Sequence, residues 1–222
     1  MRNYGNSQLY SPQYMAALAQ QMPPGVTATG KPGELNIEGV GIRKFADMRQ
    51  DIIYDRVQIP AANAVGTELV WFRDIAGKTL LETNMRDASK LPMGQQAVIY
   101  RINFLIRDDC PPKDKAEVYS TGYGEFVLDD NNKVKEGPIN VFPQTYGMYG
   151  NIMTTKNDSD EGVVTNGLPS PGANPRLMIP IYLAEGRTFR FSLHFWEACN
   201  LPSAAPTYAW VILDALRSRP LQ

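Results

Sequence analysis

The chain has 222 residues, 43% of them hydrophobic and 20% charged, a balance that excludes a largely disordered polymer and suits one large domain or two small ones able to bury roughly 70% of the unfolded chain's surface. Lys and Arg number 22 against 23 Asp and Glu, for a net charge of -1, so no basic excess exists to neutralise a phosphate backbone and nucleic acid is not the expected main partner. Cys110 and Cys199 are too few for a disulfide framework and lie in no zinc spacing, so both read as reduced, partly buried thiols. No apolar run reaches signal-peptide or membrane-span length; synthesis in a cytoplasm, with no span, is expected.

In chain order, the first predicted element is a helix from Pro12 to Met22, with Ser11 as N-cap, Pro12 at the first helical position and Pro23-Pro24 as the stop. From Pro24 to Gly41 the chain is rich in Gly and Pro without periodicity, which predicts an extended arm or linker. From Ile52 onward short β-type runs alternate with turn chemistry. Strands are predicted over Ile52 to Ile59, Glu68 to Phe72, Ala97 to Arg107, Glu117 to Leu128, Leu177 to Leu183, Thr188 to Phe195 and Tyr208 to Leu216.

Two of these runs show their faces. Phe189, Phe191, Leu193 and Phe195 point one way and Arg190, Ser192 and His194 the other, because side chains alternate across a strand. Likewise Val98, Tyr100, Ile102, Phe104 and Ile106 form an apolar set opposite Arg101, Asn103 and Arg107. Turns are predicted at Asp129 to Asn132, Ala184 to Gly186 and Leu201 to Ser203, with hairpins as the economical connection. Leu80 to Leu91 reads as a short helix or helical turn, and Asn157 to Pro175 as a long surface loop for contact or display.

The chemistry-bearing fragments are incomplete. Gly77-Lys78-Thr79 resembles the end of a phosphate loop, but Phe72 stands where its first glycine belongs, so a turn between strands is expected. Gly39 and Gly41 lack the rest of a dinucleotide fingerprint. The single histidine, His194, sits mid-strand beside Phe195 and Trp196 and reads as a sheet histidine, not a catalytic base. Acidic clusters at Asp108-Asp109, Asp129-Asp130 and Asp158 to Glu161 read as solvated loops; the calcium-loop pattern through Gly162 fails at Leu168. Asn157-Asp158-Ser159 is formally a glycosylation acceptor, without a secretion signal to bring it to the enzyme. No catalytic residue, metal ligand or cofactor follows from the sequence, and a non-enzymatic role is expected. Phe142 to Met153 is aromatic and Met-rich with almost no charge, which reads as core or interface. The interface candidates are Phe142, Tyr146, Met148, Tyr149 and Met153, with Tyr14 and Met15 in the N-terminal helix.

The run Thr67 to Ile106, with the connector Thr83-Asn84-Met85-Arg86-Asp87-Ala88-Ser89-Lys90-Leu91-Pro92, resembles the N-terminal part of jelly-roll capsid proteins of tailless icosahedral phages, many of which hold an internal membrane. Ile179-Pro180, Phe189 to Phe195 and Trp210 to Leu216, closing on Arg219-Pro220-Leu221-Gln222, resemble the C-terminal part in order. Together these stretches span about half the chain.

The resemblance implies an all-β fold: a single jelly-roll barrel or sandwich of about eight antiparallel strands over residues 42–222, preceded by a helix and arm over 1–41. It also implies a virion structural protein, the major capsid protein, whose copies form homo-oligomeric capsomers. The arm then reaches a neighbour, other virion proteins attach, and an internal membrane or packaged genome lies beneath. Genome contact would fall to Arg2, Lys31, Arg43 and Lys44. It implies no small-molecule substrate. The competing reading is a carbohydrate-binding β-sandwich presenting Trp71, Trp196 or Trp210 to sugar rings; a cupin-type enzyme needs more histidines than the one present.

Overall fold

The computed structural model describes residues 26–29, 34–37, 41–44, 48–129, 131–142, 149–151, 163–165, 177 and 179–218. The predicted helix with Tyr14 and Met15, and the candidates Tyr146, Met148 and Met153, lie outside them, as does most of the predicted loop from Asn157 to Pro175.

Among the described residues fifteen strands follow in chain order. They are β1 (Val26–Ala28), β2 (Glu34–Ile37), β3 (Gly41–Lys44), β4 (Met48–Ile59), β5 (Ala62–Asn63), β6 (Glu68–Trp71), β7 (Ala97–Ile106) and β8 (Gly122–Leu128). After them come β9 (Asn132–Pro138), β10 (Tyr149–Asn151), β11 (Val163–Thr165), β12 (Ile181–Leu183), β13 (Phe189–Phe195), β14 (Cys199–Asn200) and β15 (Thr207–Ser218). The one α-helix among the described residues, α1, is Pro112–Thr121.

Two four-stranded antiparallel sheets form the body, in the orders β12-β7-β15-β4 and β6-β13-β8-β9. The protein is an all-β antiparallel sandwich. From β4 to β15 these eight strands alternate between the two sheets, the hairpin β8 to β9 being the exception. The turn at Ala184 to Gly186 therefore carries the chain from one sheet to the other, as does the stretch through Leu201 to Ser203, and neither closes the hairpin that economy suggests.

Aromatic side chains fill the space between the sheets. Trp71 meets Phe104 and Phe191 edge-on, with ring centroids 5.7 Å away in both cases, and its Nε1 donates to the carbonyl of Ala209 at 3.0 Å. One indole thereby ties the second sheet to β15 of the first and satisfies its own buried N–H. Phe189, Phe191, Leu193 and Phe195 all lie in this core, on the face their alternation predicts. Phe142 is fully buried too, edge-on to Phe191 at 5.1 Å, so of core and interface it takes the core.

Several expectations are corrected. The run Glu117 to Leu128 is not one strand: α1 occupies its first part, because Pro112 presets the first turn, Asp114 complements the helix N-terminus and Gly122 ends it. Leu80 to Leu91 forms no regular helix: it opens on a single helical turn, where the Thr83 amide donates to the Thr79 carbonyl at 3.0 Å, and continues as turns and isolated bridges. The arm is not an unpaired extension, since β1, β2 and β3 pair as a small antiparallel sheet. Within the predicted long loop, β11 pairs with β10.

The apolar set on β7 also splits. Leu213 and Asp214 of β15 face Ile102 and Arg101, but Ala215 faces Ile99, so Tyr100 is the extra residue of a β-bulge. Beyond it the faces exchange. Ile99 and Ala97 join the main core, whereas Val98 and Tyr100 turn outward and pack with Met48, Tyr182 and Leu216.

Candidate functional site

The outer face of the first sheet carries the unusual chemistry. Outward positions of β4, β7 and β15 are Ile52, Tyr54, Leu105, Trp210 and Ile212, which form the floor of an open groove of about 590 Å³. One wall is the loop carrying Leu80 and Leu81, and Arg107, Asp108 and Asp109 close one end. Leu80 and Leu81 are 81% and 73% exposed. Isolated apolar residues on a surface are ordinary, but two adjacent leucines beside an aromatic groove make a patch that calls for a partner.

The leucine loop is held in place from below. Asp55, fully buried on the core side of β4, accepts hydrogen bonds from the Phe72 amide at 2.7 Å and Lys78 Nζ at 2.8 Å. Lys78 Nζ also donates to the Arg56 carbonyl at 2.7 Å, which gives the Gly-Lys fragment its role as an anchor in a turn. Phe72 has φ 70, a conformation a bulky residue adopts only when its surroundings impose it, and the Asp55 carboxylate is the restraint on its amide. Above, the Tyr54 hydroxyl donates to the Leu80 carbonyl, and Trp210 Nε1 donates to the Leu81 carbonyl at 3.2 Å. Glu82 accepts from the Thr79 amide at 2.8 Å, from the Thr79 hydroxyl at 2.9 Å and from Arg56. These bonds, the Thr79 amide foremost, hold the Glu82 carboxyl down at about 2. Arg56 in turn lies over the rings of Tyr208 and Trp210, at 4.5 and 5.5 Å from their centroids.

Just beyond, the connector protects an edge. β4 is the outer strand of its sheet, and unpaired edges recruit other strands. Asn84 satisfies it from the side: Oδ1 accepts from the Tyr54 amide at 3.0 Å and Nδ2 donates to the Ile52 carbonyl at 2.7 Å. Thr83 bridges to Asp55 and its hydroxyl donates to the Tyr54 carbonyl at 3.1 Å. The strap then crosses to the other sheet, where Lys90 bridges Thr188 and Leu91 is buried. The motif Thr83-Asn84…Leu91-Pro92 thus joins both sheets, a role that its spacing alone did not reveal.

The outer face of the second sheet is polar. His194 stacks on Trp196 at 5.8 Å between centroids, with Nε2 3.5 Å from Glu125 and 3.9 Å from Glu68. Glu125 also pairs with Lys133 at 2.7 Å, which raises the affinity of Lys133 for its proton. The histidine is therefore a surface-strand residue among carboxylates. Among the described residues no group of three or more His, Cys, Asp or Glu side chains is arranged to hold a metal ion, and no helix is long and apolar enough to cross a membrane.

The two thiols are separate, buried and free, and burial raises the affinity of both for their protons. Of the acidic clusters, Asp109 pairs with Arg107 at 2.7 Å and Asp129 with Arg187 at 3.0 Å, so both are surface ion pairs. Tyr149 begins β10, away in sequence from the groove. The groove residues themselves were missed as a site, although β15, TYAWVILDALRS, carries apolar residues on both its faces. That double-sided pattern is the available signal. Fold and surface together define an antiparallel β-sandwich with an apolar groove on the outer face of one sheet. Comparison with protein-family models, with curated proteins and with solved structures finds no match.

Proposed function

We propose that this chain is a structural virion subunit, the major capsid protein of an icosahedral shell, built on an eight-stranded jelly roll. The observation that carries the reading is the strand order. Numbering the eight sandwich strands from β4 to β15, the sheets run 6-3-8-1 and 2-7-4-5, with a single within-sheet hairpin. Jelly rolls wind a long double-stranded ribbon around two sheets and produce such an order, and shells are a recurrent use of the fold.

Three further features support assembly over catalysis. The first sheet's outer face carries an apolar groove floor, the Thr83 to Pro92 strap covers part of the edge of β4 against uncontrolled strand addition, and a net charge of -1 lets many copies approach one another. The partners proposed are other copies of the chain, then other virion proteins, with a packaged genome or internal membrane beneath. No small-molecule substrate or cofactor enters this reading, and the proposed location is the virion.

A carbohydrate-binding sandwich is the second reading, and Trp196 is the observation that favours it. Trp196 is 62% exposed and its ring stacks on His194 near Glu68 and Glu125, whereas Trp71 is locked in the core. Light scattering of the full chain over a concentration series, followed by electron microscopy of large species, separates the readings. Trimers, pentamers, hexamers or closed particles are expected; a monomer persisting at high concentration moves the assignment to the binding module.

A further inference from the structure

The groove on the first sheet is bordered by its own complement. The leucine wall rises beside a hollow floored by Tyr54, Trp210 and Ile212, and the two are fixed relative to each other because the carbonyls of Leu80 and Leu81 are bonded to Tyr54 and Trp210. The loop cannot fold its leucines into the hollow without breaking those bonds. A surface bearing a ridge and an adjacent groove matches itself under a two-fold rotation, which places each ridge in the other groove.

Charge follows the same symmetry. The groove ends on Arg107, 49% exposed at its side chain, next to Asp108 and Asp109. Within one copy Arg107 pairs with Asp109 at 2.7 Å, and the two-fold lets each copy exchange that surface pair for its equivalent across the interface. An anionic lipid surface fits less well, because those carboxylates would face the headgroups.

We propose that two copies of this chain pair isologously through this face, each Leu80–Leu81 ridge seated in the other's groove and each Arg107 facing Asp108 and Asp109 of the other copy. This rests on the self-assembly reading and names the surface that begins it.

Sedimentation velocity on the full chain tests the pairing, with Leu80→Asp/Leu81→Asp as the main variant. Both side chains are exposed, so its melting curve should match that of the parent chain. Its association should weaken at least about 100-fold, as for loss of central apolar anchors. Charge reversal gives an independent check: Arg107→Asp and Asp108→Arg/Asp109→Arg should each pair poorly alone and pair well when mixed. A folded leucine variant that assembles like the parent chain, or charge variants that gain nothing on mixing, would overturn the pairing while leaving self-assembly through another surface intact. A parent chain that stays monomeric would overturn both. A monomer that binds phosphatidylserine vesicles and loses that binding in the leucine variant would assign the face to lipid and overturn the pairing.

Discussion

Outward positions along β15 run Tyr208, Trp210, Ile212, Asp214 and Leu216, apolar or aromatic but for Asp214; along β13 they are Arg190, Ser192 and His194, with Trp196 just beyond the strand. The inward positions of the same strands are alike, aliphatic on one and aromatic on the other, because both sheets share one core. Inner faces are dictated by folding, so the difference between the outer faces reports what each meets after folding. The second sheet's outer face is finished by its own ion pairs, Glu125 with Lys133 and His194 beside Glu68 and Glu125. On the first sheet the polar pairing sits away from the groove floor, as in Arg101 with Asp214 at 3.5 Å, and the floor itself stays apolar.

The strongest perturbation removes the common ground of that comparison. Phe191→Asp puts a carboxylate among Trp71, Phe104 and Phe142 with no partner for its charge. No cooperative thermal transition is expected, by circular dichroism or calorimetry. A normal melt would mean that Phe191 does not face the core and would reverse the faces assigned to the second sheet.

Next in size is a change confined to the anchor of the apolar face. Asp55→Ala leaves the Lys78 ammonium with the Arg56 carbonyl but no counter-charge, and the Phe72 amide, held at φ 70, without its acceptor. Breaking a buried ion pair by removing one partner costs about 3–5 kcal/mol, to be read from urea unfolding. The second sheet should keep its packing in the surviving native state, whereas the indole of Trp210, bonded to the Leu81 carbonyl, should report a loosened loop by a red-shifted emission.

These two residues mark the division between what the sequence reveals and what it conceals. Phe191 was legible: four apolar residues alternate with polar ones from Phe189 to Phe195, and period-two alternation has one structural meaning. Asp55 was not, because one carboxylate inside an otherwise regular strand gives no sign that its partners, Phe72 and Lys78, lie 17 and 23 residues on. The bulge at Tyr100 was hidden for a related reason. AVIYRINFLI is apolar enough to satisfy either phase, and the shift between Ile102 and Ile99 is set by pairing with β15. α1 was misread where a strand pattern ran through Val118 and Tyr119, which pack inward from a helix instead. The leucine ridge reads as a helical turn and is one from Thr79 to Thr83, but its place across the sheet was hidden because the bonds that hold it there come from Tyr54 and Trp210, both remote in sequence.

Acid distinguishes the faces more gently. Glu82 holds the ridge on the first sheet, and its carboxyl is lowered from 4.5 to about 2, chiefly by the Thr79 amide and hydroxyl and by Arg56. A depressed carboxyl stabilises the fold fully above its unfolded value and loses that contribution as pH falls through the folded one. The melting-temperature gap between the parent chain and Glu82→Gln should therefore be constant at neutral pH and narrow steadily from about 4.5 towards 2. A gap that stayed flat through that range would show that the Thr79 and Arg56 bonds do not hold the charged form.

The smallest effect is expected at Trp196, and it bears on whether the polar face has a use of its own. The residue is 62% exposed and its described ring contact is the stack on His194. Trp196→Ala should change stability by no more than about 0.5 kcal/mol, as exposed substitutions usually do, and should leave the sedimentation profile unaltered. Against immobilised polysaccharides the parent chain and the variant should elute alike, because the shell reading gives this ring no ligand. Retardation of the parent chain that vanishes in the variant would show a sugar stacking on Trp196. The polar face would then be a binding platform, and the contrast between the two sheets would become one between two kinds of partner.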